Sequence, residues 1–313
     1  MLAPMSGVSD VGMRRAAERF GATLVFSEMV ASDSFLEGDE ECALRAEGAG
    51  VALHAVQLVG RDPKPMGEAA RRVVGEGAQL VDINMGCPAR RVAGGLAGCA
   101  LMRDLDHASR IIESVTAAVA APVSVKMRLG WDDDERNAPA LAQRAEAAGA
   151  VMITVHGRTR RQFYDGLADW RAVGEVSAAV RIPVVVNGDC HSREDAEAML
   201  AASGASAVMI GRAAVGAPWM VGAIAQALAS GAALEPPALA ERREAALAHL
   251  ESLLTAMGAR AGLRHARKHL AAYAEKAGAP APLRAALVRT EDPHEAATLL
   301  GLVFQPCEGL EPV

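Results

Sequence analysis

Short apolar runs alternate with amphipathic stretches through the first two-thirds of the 313-residue chain. Eight of these runs have the length and the residue types of buried strands. They span residues 2–4, 24–28, 55–59, 80–84, 123–128, 152–156, 183–187 and 207–211. Apolar residues between the first two runs recur at helical spacing, at Met13, Ala16, Ala17 and Phe20, and Ser9 is the predicted N-cap of this helix.

The alternation of strands and helices predicts the sheet topology. A second amphipathic stretch contains Ala108, Ile111, Ile112 and Val115, and residues 192–195 form a capping box before a third. Because a helix returns the chain after each strand, neighbouring strands pair in parallel. Eight such units fit an α/β fold of the (β/α)8 TIM-barrel type better than an open doubly wound sheet. Since the first strand begins almost at Met1, we expect it to be shortened, or the natural start to lie upstream.

The last quarter of the chain has a different pattern, in which strand signals are absent and helical spacing continues. Four helices are predicted here, over 237–258, over 263–277 beyond Gly258 and Gly262, after Pro282 and after Pro293. The sequence therefore predicts a barrel domain over 1–234 and a small all-helical domain over 235–313.

Composition narrows the class of protein. No apolar run approaches the ~18 residues of a membrane span, and no secretory signal opens the chain. The five cysteines contain no CxxC pair, and the histidines form no HxH or HExxH spacing, so we expect neither disulfides nor a metal site. These features predict a cytoplasmic protein, and a monomer is the default expectation.

The charge distribution qualifies the net charge of −6. Residues 241–290 hold nine Lys and Arg against four Asp and Glu, whereas the rest of the chain is acidic. A polyanion could dock on this basic block, although a solvated helix face would give the same pattern.

Chemistry in a parallel barrel lies at the carboxyl ends of its strands. Cys87 stands there between Gly86 and Pro88, where it is either a small buried hydrophobe or an exposed proton donor. Lys126 alternates with apolar neighbours, so it is either a rim lysine or a cation held against an anionic ligand. His156 ends the sixth apolar run and is either structural or a hydrogen-bond donor to the same ligand.

The ends of the last two strands indicate a phosphate site. Asn187, Gly188 and Asp189 follow the seventh run, and Gly211 and Arg212 follow the eighth. Loops at these positions form the recurrent phosphate site of the barrel architecture, because glycine allows close backbone approach and arginine adds charge-assisted hydrogen bonds. A phosphorylated ring of this kind is FMN or a sugar phosphate, and the residues alone leave both open.

Six segments together carry a resemblance to a known family. They read APM (3–5), DINMGCP (82–88), KMRLGW (126–131), HGRT (156–159), NGD (187–189) and MIGRAAVGAPW (209–219), with a weaker match at RKH (267–269). In this order, at strand ends, they resemble the tRNA-dihydrouridine synthases, and the DINMGCP and RKH segments are most similar to the bacterial B-type subgroup. One departure is the loop after Cys87, where arginines at 90 and 91 stand in place of an expected lysine.

The resemblance implies an FMN-dependent barrel that reduces the C5–C6 double bond of a tRNA uridine, with NADPH or NADH reducing the flavin. Cys87 would be the catalytic acid that protonates C5. The implied cofactor-binding residues are Pro4, Met5, Ser6, Gln57, Lys126, His156, Asn187, Gly188, Asp189, Gly211 and Arg212. The implied substrate contacts are Asn84, Arg128 and Arg158 at the barrel, and Arg267 and Lys268 in the helical domain.

Two alternatives belong to other functional classes. An FMN barrel similar to dihydroorotate dehydrogenase would act on a free pyrimidine, but it would leave the helical domain without a task. A catalytically inactive RNA-binding protein on an enzyme scaffold would bind tRNA without flavin. We expect a tRNA partner, and neither a membrane nor a metal partner.

Overall fold

The computed structural model describes residues 1–305, so the end of the predicted helical domain and Cys307 lie outside the described residues. Seven parallel strands form one sheet in chain order. They are β1 (Val25–Ala31), β2 (His54–Val59), β3 (Leu80–Met85), β4 (Val123–Arg128), β5 (Met152–His156), β6 (Val184–Asn187) and β7 (Ala207–Met209).

Residues at the start of the chain close the sheet into a barrel. Leu2 forms parallel bridges to Val25 of β1 and to Ile210, just after β7. Its N–H donates to Leu24 O at 2.9 Å, and the next N–H donates to Ile210 O at 2.8 Å. The predicted first strand is therefore reduced to a bridge, because Pro4 has no N–H with which to continue the ladder. The predicted (β/α)8 barrel fold is confirmed.

Thirteen helices are defined within residues 1–305. They are α1 (Val11–Arg19), α2 (Ser32–Leu36), α3 (Glu40–Ala46), α4 (Pro63–Gly75), α5 (Arg90–Ala93), α6 (Leu105–Ala118), α7 (Ala138–Ala147), α8 (Trp170–Ala179), α9 (Arg193–Ser203), α10 (Met220–Ser230), α11 (Leu239–Lys276), α12 (Ala281–Arg289) and α13 (Pro293–Val303). Every helix in this part of the chain is too short or too polar for a membrane span.

The helix caps agree with the sequence pattern at one position and differ at another. Ser192 caps α9 by accepting a hydrogen bond from Asp195 N at 3.1 Å, as predicted. The cap of α1 is Asp10 rather than the predicted Ser9, and it accepts from Met13 N at 3.0 Å. Ser9 Oγ instead accepts from Met5 N, so it supports the loop that precedes α1.

Side chains along each strand point alternately to the outside of the barrel and to its interior. In β4, Val123, Val125 and Met127 face the surrounding helices and belong to the main core. The alternate positions on the strands face the barrel interior. Their lower layer is apolar, as at Phe26 and Met209, whereas their upper layer at the carboxyl ends is polar. The fold thus collects polar side chains at one end of the barrel.

The three last helices pack around a second core that includes Trp219 from the barrel segment. The Trp219 ring lies 6.1 Å from the rings of Phe20 and Tyr273 and 6.4 Å from that of Phe304. Gly216, with φ of 73°, permits this contact, since a Cβ there would lie 2.4 Å from the backbone of Ala272. The helical region is therefore joined to the barrel by a shared aromatic cluster.

The break inside α11 differs from the prediction. Only Gly258, with φ 76° and ψ 163°, leaves the helical conformation, and the second helix resumes directly after it. Gly262 is buried inside that helix, where a Cβ would lie 2.5 Å from Leu253 O. This glycine serves close helix packing rather than chain termination.

Candidate active site

A cavity of about 810 Å³ opens at the carboxyl ends of the strands. Most of the predicted site residues line it: Pro4, Met5, Ser6, Asn84, Cys87, Lys126, Arg128, His156, Asn187, Gly188, Asp189, Gly211 and Arg212. Four predicted residues do not line it, namely Gln57, Arg158, Arg267 and Lys268. The strand-end positions therefore converge on one cavity, as the topology of a parallel barrel requires.

Hydrogen bonds fix the turn that carries Cys87. Asn84 Oδ1 accepts from Gly86 N at 3.1 Å and from Cys87 N at 2.9 Å, which locks the turn at the end of β3. Arg128 Nε donates to Gly86 O at 3.0 Å from the neighbouring strand. Cys87 is half-buried, and burial raises the pKa of its thiol above the ordinary range. The thiol therefore keeps its proton at neutral pH, the form that a proton donor needs.

A buried polar chain lies beneath this turn. Asn84 Nδ2 donates to Gln57 Oε1 at 2.8 Å, and Gln57 Nε2 donates to Asp82 Oδ2 at 2.6 Å. Ser124 Oγ donates to the other oxygen of Asp82 at 2.5 Å. Burial raises the pKa of Asp82 to about 6. Gln57 is thus held between Asn84 and Asp82 below the cavity and does not line it, and its implied role as a cofactor contact stays a prediction.

Lys126 is a half-buried cation at the cavity wall. Its Nζ lies 3.2 Å from Asn187 Oδ1, and Asn187 in turn donates to Met209 O at 2.8 Å. Burial, followed by repulsion from Arg128, lowers the pKa of Lys126 to about 8. Burial and the cations Lys126, Arg128, Arg158 and Arg212 hold the pKa of His156 well below its ordinary range. The cavity therefore has a positive potential that suits an anionic ligand.

Arg158 pairs with Asp189 inside the protein. Two parallel hydrogen bonds of 2.9 and 2.7 Å join the guanidinium to the carboxylate. Arg158 also donates to the carbonyls of Asp165 and Gly166, and its side chain is only 2% exposed. The geometry therefore gives Arg158 internal partners, and the predicted substrate contact has no support from it. Arg212, which is exposed, reaches the same carboxylate at 3.2 Å.

Several cavity residues were not predicted from the sequence. Arg45 and Arg91 add positive charge at the mouth, and Phe163 and Tyr164 place exposed aromatic rings there. The guanidinium of Arg212 lies 5.2 Å from the Tyr164 ring centroid. The sequence signal for Arg91 is its place in the loop after Cys87, where an arginine stands in place of an expected lysine. The two aromatic residues lie on an irregular loop, where periodicity gives no signal.

The side chains of the two predicted residues of the helical region, Arg267 and Lys268, reach different surfaces. Arg267 lines a groove around Gly258 together with Arg260 and Arg264. The Lys268 ammonium instead lies beside Gly7 of the barrel, where a Cβ would be 3.1 Å from its Nζ. The structure thus brings Lys268 toward the loop that leads to the cavity and leaves three arginines on a separate surface.

The structure is a closed parallel barrel with a cationic cavity and a helical appendage. These features are typical of the class of (β/α)8 proteins that bind anionic ligands. The family model described as Dihydrouridine synthase (Dus) matches residues 1–305. The chain belongs to the dihydrouridine synthase family, which confirms the predicted resemblance.

Relatives from three bacteria are similar to almost the whole chain. A "Probable tRNA-dihydrouridine synthase" of Rhodobacter capsulatus is 50% identical over 98% of this chain and 95% of its own length. One of the same description from Rhizobium leguminosarum bv. phaseoli is 46% identical over 96% and 93%. A "tRNA-dihydrouridine synthase B" of Xanthomonas campestris is 46% identical over 94% and 89%.

Proposed function

We propose that this protein reduces the C5–C6 double bond of a uridine in tRNA to 5,6-dihydrouridine, with FMN as its cofactor and NADPH or NADH as reductant. Membership of the dihydrouridine synthase family makes the chain an oxidoreductase. The observation that carries the proposal is the protonated, half-buried Cys87 on a fixed turn at the wall of a cationic cavity.

The residues present fit FMN on two observations. Lys126 is a half-buried ammonium whose only side-chain hydrogen bond within residues 1–305 goes to Asn187, so donors remain for an anionic flavin edge. Gly188, Gly211 and Arg212 line the same cavity, where they could hold a phosphate. Pro4, Met5 and Ser6 would complete the wall. Bound FMN supplies the hydride for C6 of the uracil ring.

The protein's own residues then supply orientation and a proton. Cys87 gives its proton to C5 as C6 is reduced, because a thiol with a raised pKa remains protonated until it meets a developing carbanion. Asn84 and Arg128 hold the turn that aims this thiol. The base must leave its stack to enter the cavity, and the exposed rings of Phe163 and Tyr164 offer apolar faces at the mouth.

Basic residues of the helical region give the tRNA a second contact. Arg260 and Arg264 are exposed beside the half-buried Arg267, and all three line the groove at Gly258. Their spacing of four and three residues places them on one helix face. Such a face binds phosphates without reading sequence. A cytoplasmic location, where tRNA is modified, follows from this proposal.

The test uses purified protein whose bound flavin is identified by its absorption and by chromatography. Oxidation of NADPH is followed with unmodified tRNA transcript, with free uracil and with orotate. The proposal expects a yellow protein whose sustained NADPH oxidation depends on tRNA. Comparable turnover of a free pyrimidine would instead indicate a dihydroorotate dehydrogenase-like enzyme. Binding of tRNA by a colourless protein that stays inactive after FMN addition would indicate an inactive RNA-binding scaffold.

A further inference from the structure

Imidazole and carboxylate groups meet between the barrel and the helical region, away from the cavity. Asp10 is the N-cap of α1, and His265 and His269 are four residues apart on α11, so both rings lie on one helix face. One possible ligand atom from each of the three residues lies within 4.8 Å of the others. The spacing His-x-x-x-His at 265–269 is itself compatible with a metal site, but Asp10 is too distant in sequence for the pattern to include it.

Ring nitrogens in this cluster lack hydrogen-bond partners. Within residues 1–305, Nε2 of His265 and both ring nitrogens of His269 have none, although His269 is only 2% exposed. His269 Nε2 lies 3.1 Å from Asp10 Oδ2, but the two groups are not aligned for a hydrogen bond. Two ligands of a tetrahedral zinc ion lie about 3.3 Å apart, since each bond is about 2.0–2.1 Å long. The short, misaligned contact suits two atoms that share a metal.

His249 supplies the outer support that metal ligands usually have. Its Nε2 lies 3.0 Å from Asp10 Oδ1, and its Nδ1 lies 3.0 Å from the Tyr273 hydroxyl. The same His249 nitrogen lies 3.2 Å from Oδ2, so it holds both oxygens of the carboxylate, and Oδ2 also lies 3.1 Å from His269 Nε2. The exposed Lys268 and the buried Arg14 are neighbouring cations.

We propose that Asp10, His265 and His269 bind a divalent transition metal of the Zn²⁺ type. Water is the fourth ligand, entering from the side of the half-exposed His265. The metal ties the start of α1, which follows the cavity loop 4–7, to the helical region. It is a structural clamp and takes no part in the proposed reduction.

The test measures metal binding by the full-length protein after treatment with a chelator. Zn²⁺ affinity is determined by competition with a chromophoric chelator, and Co²⁺ absorption reports the ligand types. The variant His265→Gln removes one ligand from a half-exposed position and leaves the buried Asp10–His249 contact in place. His294→Gln, an exposed histidine of the same helical region, is the matched control.

We expect one Zn²⁺ per chain in the natural protein and in the control, with affinity about 100-fold or more weaker in His265→Gln. The melting temperature should rise with Zn²⁺ in the first two proteins and not in the third. Absence of stoichiometric binding, equal affinity in all three proteins, or a thiolate-to-cobalt absorption band that indicates cysteine ligands would overturn the proposal.

Discussion

Replacement of Asp189 by asparagine tests how the cavity wall is held. The carboxylate accepts four hydrogen bonds, two from Arg158, one from Ala168 N at 2.8 Å and one from Arg212. Asp189 has φ of 61°, a conformation that asparagine tolerates, so Asp189→Asn changes charge rather than backbone shape. The amide cannot accept at both ends, and Arg158 becomes a buried cation without a counter-charge.

Breaking a buried ion pair by removing one partner costs about 3–5 kcal/mol. Because the carbonyls of Asp165 and Gly166 still accept from Arg158, we expect a loss near the lower end, about 3 kcal/mol in the free energy of unfolding. The matched control is Asp165→Asn, whose exposed side chain makes the same charge change. Surface substitutions of this kind usually shift stability by about 0.5 kcal/mol or less.

Urea unfolding at pH 7 measures both variants, and tryptophan fluorescence is a local probe since Trp170 Nε1 donates to Gly188 O at 2.9 Å. Hydrogen bonds from Arg158 and Ala168, outweighing burial, lower the pKa of Asp189. Its contribution is therefore complete above the unfolded-state pKa of about 3.9 and is lost as pH falls through the lower folded-state pKa. The difference from the natural protein should narrow below about pH 4. A loss equal to that of Asp165→Asn would refute the role of the ion pair.

Three further changes test separate parts of the account. Cys87→Ala should retain flavin and tRNA binding but slow the single-turnover reduction of tRNA about 10²–10⁴-fold. The control Cys99→Ser preserves the hydrogen bond to Gly86 O and should stay within a few-fold of the natural rate. Equal rates for the two variants would remove the Cys87 thiol from the mechanism. Trp219→Ala should lower the free energy of unfolding by about 3–5 kcal/mol in urea melts, and a loss below about 1 kcal/mol would contradict the shared aromatic core. Arg264→Ala should weaken tRNA binding and reduce, by about 1, the slope of the logarithm of the binding constant against the logarithm of salt concentration. The control Arg171→Ala on α8 should leave the affinity and the slope unchanged. An unaltered slope for Arg264→Ala would place the RNA elsewhere.

The barrel was predictable because its local patterns and its topology agree. Each strand was found from an apolar run, and only Leu2 of the first strand survives, as a bridge. The rule that chemistry lies at strand ends is sufficient to predict Cys87, Lys126 and Asn187 as site residues from the sequence. These assignments depend on local sequence and on one topological rule, so a single sequence carries them.

The partners of buried polar groups were harder to predict. Alternation places Asp82 and Asn84 on the same inner face of β3, but it does not say that Gln57 bridges them instead of reaching the cavity. Arg158 follows a strand end like the other site residues, yet a loop and Asp189 enclose it. Such choices depend on the distances between side chains on different strands, which periodicity does not contain.

The sequence also does not distinguish a glycine that breaks a helix from one that allows close helix packing. Gly258 and Gly262 both interrupt a helical pattern, but only Gly258 breaks the helix. Gly262 is required by the close approach of Leu253, which depends on the three-dimensional path of the chain.

The central claim is tested most directly by mass spectrometry of the RNA product. Purified protein is incubated with NADPH and unmodified tRNA transcript, and the digested RNA is mapped for a uridine that has gained two hydrogens. The account expects dihydrouridine at a defined tRNA position with the natural protein and with Cys99→Ser, and almost none with Cys87→Ala. No gain of two hydrogens from a flavin-loaded, NADPH-oxidising protein, or full product from Cys87→Ala, would contradict it.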